Sequence, residues 1–113
     1  MIALSEAAKP IDQVFRALAD PTRRHVLERL SRNPASASEL AAPYGMAFPS
    51  FVQHMGVLEE CGLVQSRKRG RVRTYEIIPK RLKLAEDWMV RQRALWERRL
   101  DQLDSYLITL KEK

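Results

Sequence analysis

The chain of 113 residues is poor in the groups that do chemistry: it has one cysteine, two histidines and four glycines. A lone Cys61 excludes an internal disulfide framework. His25, His54 and Cys61 have no paired spacing, and a zinc site takes three or four protein donors. No metal site is expected. No apolar run approaches the roughly 18 residues that a membrane span needs. The opening stretch MIALSEAAKP has no basic start followed by an apolar segment, so no signal peptide is expected and the expected compartment is the cytoplasm. A Gly-rich phosphate loop, a nucleophile–base pair and a carboxylate pair in a cleft are all missing, which argues against an enzyme and against a bound cofactor. Asp20, Thr22, Arg23 and Arg24 read as a helix cap, a first-turn residue and two arginines that are solvated or on a phosphate. There is no internal repeat and no low-complexity segment.

What the chain does have is positive charge, unevenly placed. Its length suits one domain with a modest core. The net charge is +6, with −1 over residues 1–63, +4 over residues 64–79 and +3 over residues 80–113. Arg67, Lys68, Arg69, Arg71 and Arg73 crowd one short ribbon with no acid before Glu76. Such self-repulsion costs stability unless an anion relieves it, so an anionic partner is expected.

Residues 1–10 read as a flexible arm. Ile11, Val14, Phe15 and Leu18 have the spacing of a short first helix. Asp20-Pro21 marks a restart, with Asp as N-cap and Pro at the first helical position. A second helix then runs to about Arg32, with Val26, Leu27 and Leu30 inward, until Asn33-Pro34 breaks it. Ser36 and Glu39 have capping-box spacing and open a brief third helix that stops near Tyr44-Gly45. Met46-Ala47-Phe48 is a short link. A fourth helix over 49–61 follows at once, making a helix–turn–helix.

In that fourth helix Phe51, Met55 and Leu58 share one face and point to a core. Pro49, Val52, Gln53 and Gly56 lie opposite, with little bulk and no charge. Ser50 sits near the helix start, and His54 at the edge of the inward face. Gly62 ends the helix as a left-handed cap. From Val64 the period becomes 2, and residues 64–69 and 72–78 read as two strands joined at Gly70. A slim helix beside a cationic hairpin suits DNA, with the helix in the major groove and the hairpin on phosphates. Gln53 can pair with adenine, Val52 can pack on a thymine methyl, and Pro49 starts the helix with free N–H groups for a phosphate. His54 is a secondary candidate for a phosphate.

Residues 80–113 contain no Gly or Pro and read as one helix of about 50 Å, longer than a domain of this size can cover. Met89, Trp96, Leu100, Leu103, Leu107 and Leu110 form its apolar stripe, and Trp88 lies beside it. With Ile11, Val14 and Phe15 of the first helix they are the expected interface with a second copy. The chain therefore divides into the arm, a DNA-binding core over 11–79 and a dimerisation helix over 80–113, all within one domain. The architecture expected is mostly α with a small β-hairpin.

The segments ALADPTRRHVLERL at 17–30, SELAAPYGM at 38–46 and QHMGVLEECGLVQSRKRGRVRTYEI at 53–77 resemble the ArsR-type winged helix–turn–helix regulators. The resemblance covers about residues 11–100 in order and spacing. It implies a homodimeric bacterial DNA-binding regulator, commonly a repressor released by an effector. Many members sense metal through a Cys-x-Cys pair at the third helix or Asp and His on the terminal helix. Here the third helix reads SASELAAPYG and the terminal helix has no His, so the resemblance is to the non-metal branch with the DPTRR motif. That branch usually has a small hydroxyl residue at position 52 and basic residues near 53 and 56, where this chain has Val52, Gln53 and Gly56. No residue identifies an effector. The competing expectation is a protein-interaction module whose long helix docks a partner and whose hairpin binds nucleic acid without sequence preference.

Overall fold

The computed structural model describes residues 9–112 of the chain. Five helices and three strands follow in the order α1 (Lys9–Leu18), α2 (Pro21–Leu30), β1 (Ala35–Ser36), α3 (Ala37–Ala41), α4 (Phe48–Glu60), β2 (Val64–Arg69), β3 (Val72–Ile77) and α5 (Pro79–Lys111). Lys9 and Pro10, expected in the arm over 1–10, belong to α1; residues 1–8 lie outside the described residues.

Local chemistry sets most boundaries. The Asp20 carboxylate accepts the Arg23 backbone N–H at 2.9 Å, and Pro21 opens α2. Ser36 and Glu39 form the expected capping box, each satisfying a backbone N–H of the other. Gly62, at φ +78°, turns the chain out of α4, a conformation that costs glycine little. A Cβ there would lie 2.9 Å from Cγ of the Arg81 side chain, which would have to shift.

The hairpin is part of a larger sheet. Strand order is β1-β3-β2, all antiparallel. Ala35 pairs with Tyr75 and Ser36 with Thr74, which ties the start of α3 to the hairpin. A two-residue strand has no period of its own, so the sequence carries no sign of β1.

Val14, Ala17, Val26, Leu30, Leu40, Phe51, Met55, Leu58, Leu63 and Val64 close the core, and Ala85 of α5 is buried with them. Val14 is fully buried inside one protomer, so it is a core residue and not a contact for a second copy as expected. α5 packs along α1, where Phe15 meets Trp88. Only the first half of α5 is used this way. From Trp96 to Glu112 every residue is exposed. The radius of gyration is 20.2 Å, against roughly 13 Å for a compact chain of this length; the protruding half of α5 makes the difference.

Candidate nucleic-acid interface

Helix α4 is held by Phe51, Met55 and Leu58, all buried, and so turns a fixed face outward. Pro49, Ser50, Val52 and Gln53 are exposed on it, and a Cβ added at Gly56 would meet nothing within 4 Å. That face is free to approach a surface closely. Its N-terminus offers less than expected. Phe48, not Pro49, is the first helical residue. Pro49 has no N–H, and the N–H groups of Ser50 and Phe51 both donate to the Ala47 carbonyl, at 3.0 and 3.1 Å.

Beside α4 stands the β2–β3 hairpin, with Arg69 paired to Val72 across a two-residue turn. Gly70 has φ +61° and Arg71 does not have a positive φ, the pattern of a type II′ turn, which matches the twist of the strands. Pleating sorts the five cations onto two faces. Lys68 pairs with Arg73 and shares a face with the Ser66–Tyr75 and Val64–Ile77 pairs, whose buried members rest on the core. Arg67 and Arg69 point to the opposite face, with Gln65, Thr74 and Glu76. Lys68, Arg71 and Arg73 therefore line one groove of about 410 Å³ with Phe48 and Val52 of α4 and Val72 of β3. Arg73 is held in place there: its guanidinium donates to Ser66 Oγ at 2.8 Å, and Ser66 donates to Glu59 at 2.5 Å.

His54 faces the other way. Arg23 Nη1 lies 3.2 Å from His54 Nδ1. Asp20 Oδ2 is 3.6 Å from the same nitrogen. The Arg23 guanidinium also donates to the carbonyls of Ala17 at 2.9 Å and Arg16 at 3.2 Å. His54 is thus the partly buried polar contact of a helix junction, not a side chain reaching for phosphate. Arg23 likewise corrects the expectation of a solvated or phosphate-bound arginine. Asp20 titrates below the ordinary carboxylate value, chiefly because it accepts the Arg23 backbone N–H, with neighbouring His54 and then Arg23 adding to this against the opposing effect of burial.

Cys61 is buried, with its Sγ–H donating to the Leu58 carbonyl at 3.3 Å, and burial pushes its thiol pKa up. Among the described residues no three His, Cys, Asp or Glu side chains gather in a way that could hold a metal ion. No helix among them is long and apolar enough to cross a membrane.

The proposed dimer residues separate into two sets. Phe15 and Trp88 meet edge to face within the protomer, with ring centroids 5.6 Å apart, and Ile11 is half-buried nearby on α1. Met89, Trp96, Leu100, Leu103, Leu107 and Leu110 remain exposed along α5. Two groove residues, Phe48 and Val72, were not expected in the interface. Phe48 read as part of a link, and its helical position four residues before Val52 was the available signal.

A helix–turn–helix domain model matches residues 18–67. An HTH-type transcriptional regulator of Mycobacterium tuberculosis is 40% identical over 68 residues, 60% of this chain, and the chain spans 64% of that regulator's length. The transcriptional repressor SdpR of Bacillus subtilis is 26% identical over 80 residues, covering 71% of this chain and 89% of SdpR. In three dimensions the chain is similar to the crystal structure of an ArsR family transcriptional regulator. That likeness has a TM-score of 0.78 and 47% identity, and covers 83% of this chain and 97% of the other.

Proposed function

The chain belongs to the ArsR-type family of helix–turn–helix transcriptional regulators, and from that premise we propose that it is a homodimeric repressor of the non-metal branch. It works in the cytoplasm, binds a palindromic operator and catalyses no reaction. The single observation that carries this reading is the groove that brings Lys68, Arg71 and Arg73 beside the exposed face of α4. A cationic wall next to a slim, uncharged helix face fits a phosphate backbone beside an open major groove.

The roles divide by chemistry. Val52 and Gln53 of α4 read base edges, and Gly56 leaves room for the helix to enter. The hairpin supplies affinity without reading sequence, through counterion release. A second copy, joined along α5, places a second α4 one helical turn of DNA away or a multiple of it. The α4 face carries no Arg or Lys, so the commonest guanine contact is missing and half-site cores rich in A·T pairs follow. The non-metal assignment is supported by the donor inventory of two histidines and one cysteine, with Cys61 buried.

Selection from random duplex DNA tests the reading. The wild type is expected to enrich a palindrome and to bind it ~10³-fold or more above bulk DNA. Gln53→Ala is expected to lose about 1–3 kcal/mol per half-site at one base position, and Gln53→Arg to shift that position toward guanine. Binding with no sequence preference would favour the protein-interaction module instead. A Gln53→Ala profile identical to wild type would show that another surface reads the bases.

A further inference from the structure

The cationic groove between α4 and the hairpin has an apolar wall. Phe48 and Val52 are one turn apart on α4, so they lie side by side. Their exposures are 50% and 43%, and both line the same cavity as Lys68, Arg71 and Arg73. Two large apolar side chains left in water, ringed by cations, ask for a ligand that is anionic at its edge and apolar at a point within. Duplex DNA meets both demands in only one way from the major groove: phosphates at the rim, and the C5-methyl group of a pyrimidine on the base edge. The donors and acceptors of the other major-groove positions would be left unpaired against Phe48 and Val52, at a cost.

We propose that Phe48 and Val52 form a reader of pyrimidine 5-methyl groups, accepting thymine or 5-methylcytosine and discriminating against uracil and unmodified cytosine. This rests on the operator-binding reading and extends it from Val52 alone to a walled site. It gives Phe48 a part in specificity. It also makes operator affinity sensitive to cytosine methylation, since a methyl group at C5 restores the one feature the wall contacts. Lys68, Arg71 and Arg73 hold the strand that carries the methylated base and do not distinguish the bases themselves.

The experiment uses the full chain and the duplex enriched by selection. Thymines at the α4 positions are replaced singly by deoxyuridine, which removes only the methyl group. A further pair of duplexes carries cytosine or 5-methylcytosine at the same place. One uracil position per half-site is expected to weaken binding by roughly four-fold, what burial of one methyl-sized group gives. 5-Methylcytosine is expected to bind more tightly than cytosine by a similar factor. In Phe48→Ala the thymine-to-uracil ratio is expected to fall toward one, while the salt dependence set by the hairpin stays. Val52→Thr, which keeps the shape, is expected to lower the ratio too, and both variants are checked for unchanged melting. Equal affinity for thymine and uracil duplexes overturns this inference alone and leaves the repressor reading standing. An unchanged ratio in Phe48→Ala overturns the assignment of the wall. Failure of selection to enrich any duplex overturns both readings.

Discussion

Arg23 Nη1 sits 3.2 Å from Nδ1 of His54, thirty-one residues further along the chain, and joins the second helix to the fourth. The same guanidinium holds the last carbonyls of α1 through Ala17 and Arg16. One side chain thus ties α4 to α2 and to the end of α1. Hydrogen bonds from a charged donor contribute about 1.5–3 kcal/mol. Arg23→Ala is expected to lower stability by that order, roughly 4–8 °C in Tm per kcal/mol, and to weaken DNA binding with it. Arg24→Ala is the control, since exposed Arg24 bonds only the Leu18 carbonyl. Thermal melting in which the two variants behave alike would sink this account of the junction.

Asp20 makes the same junction sensitive to acid. Its folded-state pKa lies below the ordinary value of 3.8, mainly because it accepts the Arg23 backbone N–H. A lowered carboxylate contributes stability that is fully present above the unfolded value and is lost as pH falls through the folded one. Melting from pH 6 to pH 2 is therefore expected to show a loss beginning near pH 4. Asp20→Asn keeps a cap acceptor and is expected to flatten that loss, while Asp20→Ala costs ~1 kcal/mol at neutral pH. An acid limb of the same steepness in Asp20→Asn would remove Asp20 as its source.

The elements whose causes are local were legible in the sequence. Asp20-Pro21, the Ser36–Glu39 box, the apolar spacing of α4 and the switch to period 2 after Leu63 each act within a few residues. What was not legible depends on distant partners. β1 exists only because Ala35 and Ser36 pair with Tyr75 and Thr74. Val14 is buried within the protomer, and periodicity shows which residues share a face but not what covers them. His54 could be placed at the edge of the inward face of α4, but Arg23 as its partner could not be read from spacing. The cations of the hairpin were visible, and their division between two faces needed the register.

That division gives unequal weights to the basic residues. Lys68, Arg71 and Arg73 share the groove with α4, while Arg67 and Arg69 face away. Each lost phosphate contact reduces the log–log salt slope by about 1, so one contact per subunit of a dimer removes about 2. Lys68→Ala and Arg71→Ala are each expected to do this, and to weaken specific and bulk DNA nearly equally. Arg67→Ala and Arg69→Ala are expected to change the slope by less than half as much. Binding measured at several salt concentrations checks it, and equal slopes across all four variants would contradict the face assignment.

Cys61 and the two histidines set the expectation for effectors. A buried thiol with a raised pKa is little ionised at neutral pH and is a weak nucleophile and metal donor. Native protein is expected to react with a thiol reagent at least tenfold more slowly than unfolded protein. DNA binding is expected to be unchanged by chelator and by added zinc, nickel or arsenite. A stoichiometric metal that alters affinity more than tenfold would refute the non-metal assignment.

The last expectation concerns α5. Met89, Trp96, Leu100, Leu103 and Leu107 fall within one narrow stripe at helical spacing, and Trp96 is 58% exposed. Ala85 is buried and Gln92 and Leu95 are half-buried on the first half of α5. From Trp96 to Glu112 every residue is exposed, so the described chain leaves that half of the stripe open. A soluble monomer rarely keeps so long an apolar surface in water. A second copy presenting the same stripe covers it by symmetry. Truncating a central tryptophan in such an interface costs 2 kcal/mol or more, which raises the dimer dissociation constant roughly 30-fold or more. Trp96→Ala, or a stop after Leu100, is expected to lower the sedimenting mass at micromolar protein and to abolish operator binding together. Melting of the variants separates this from misfolding, because the core around Phe51 and Leu58 does not include Trp96. Wild-type protein sedimenting as a monomer at micromolar concentration would end the dimer proposal. A dimer that survives both Trp96→Ala and the truncation would move the interface to α1 and the first half of α5, around Phe15 and Trp88.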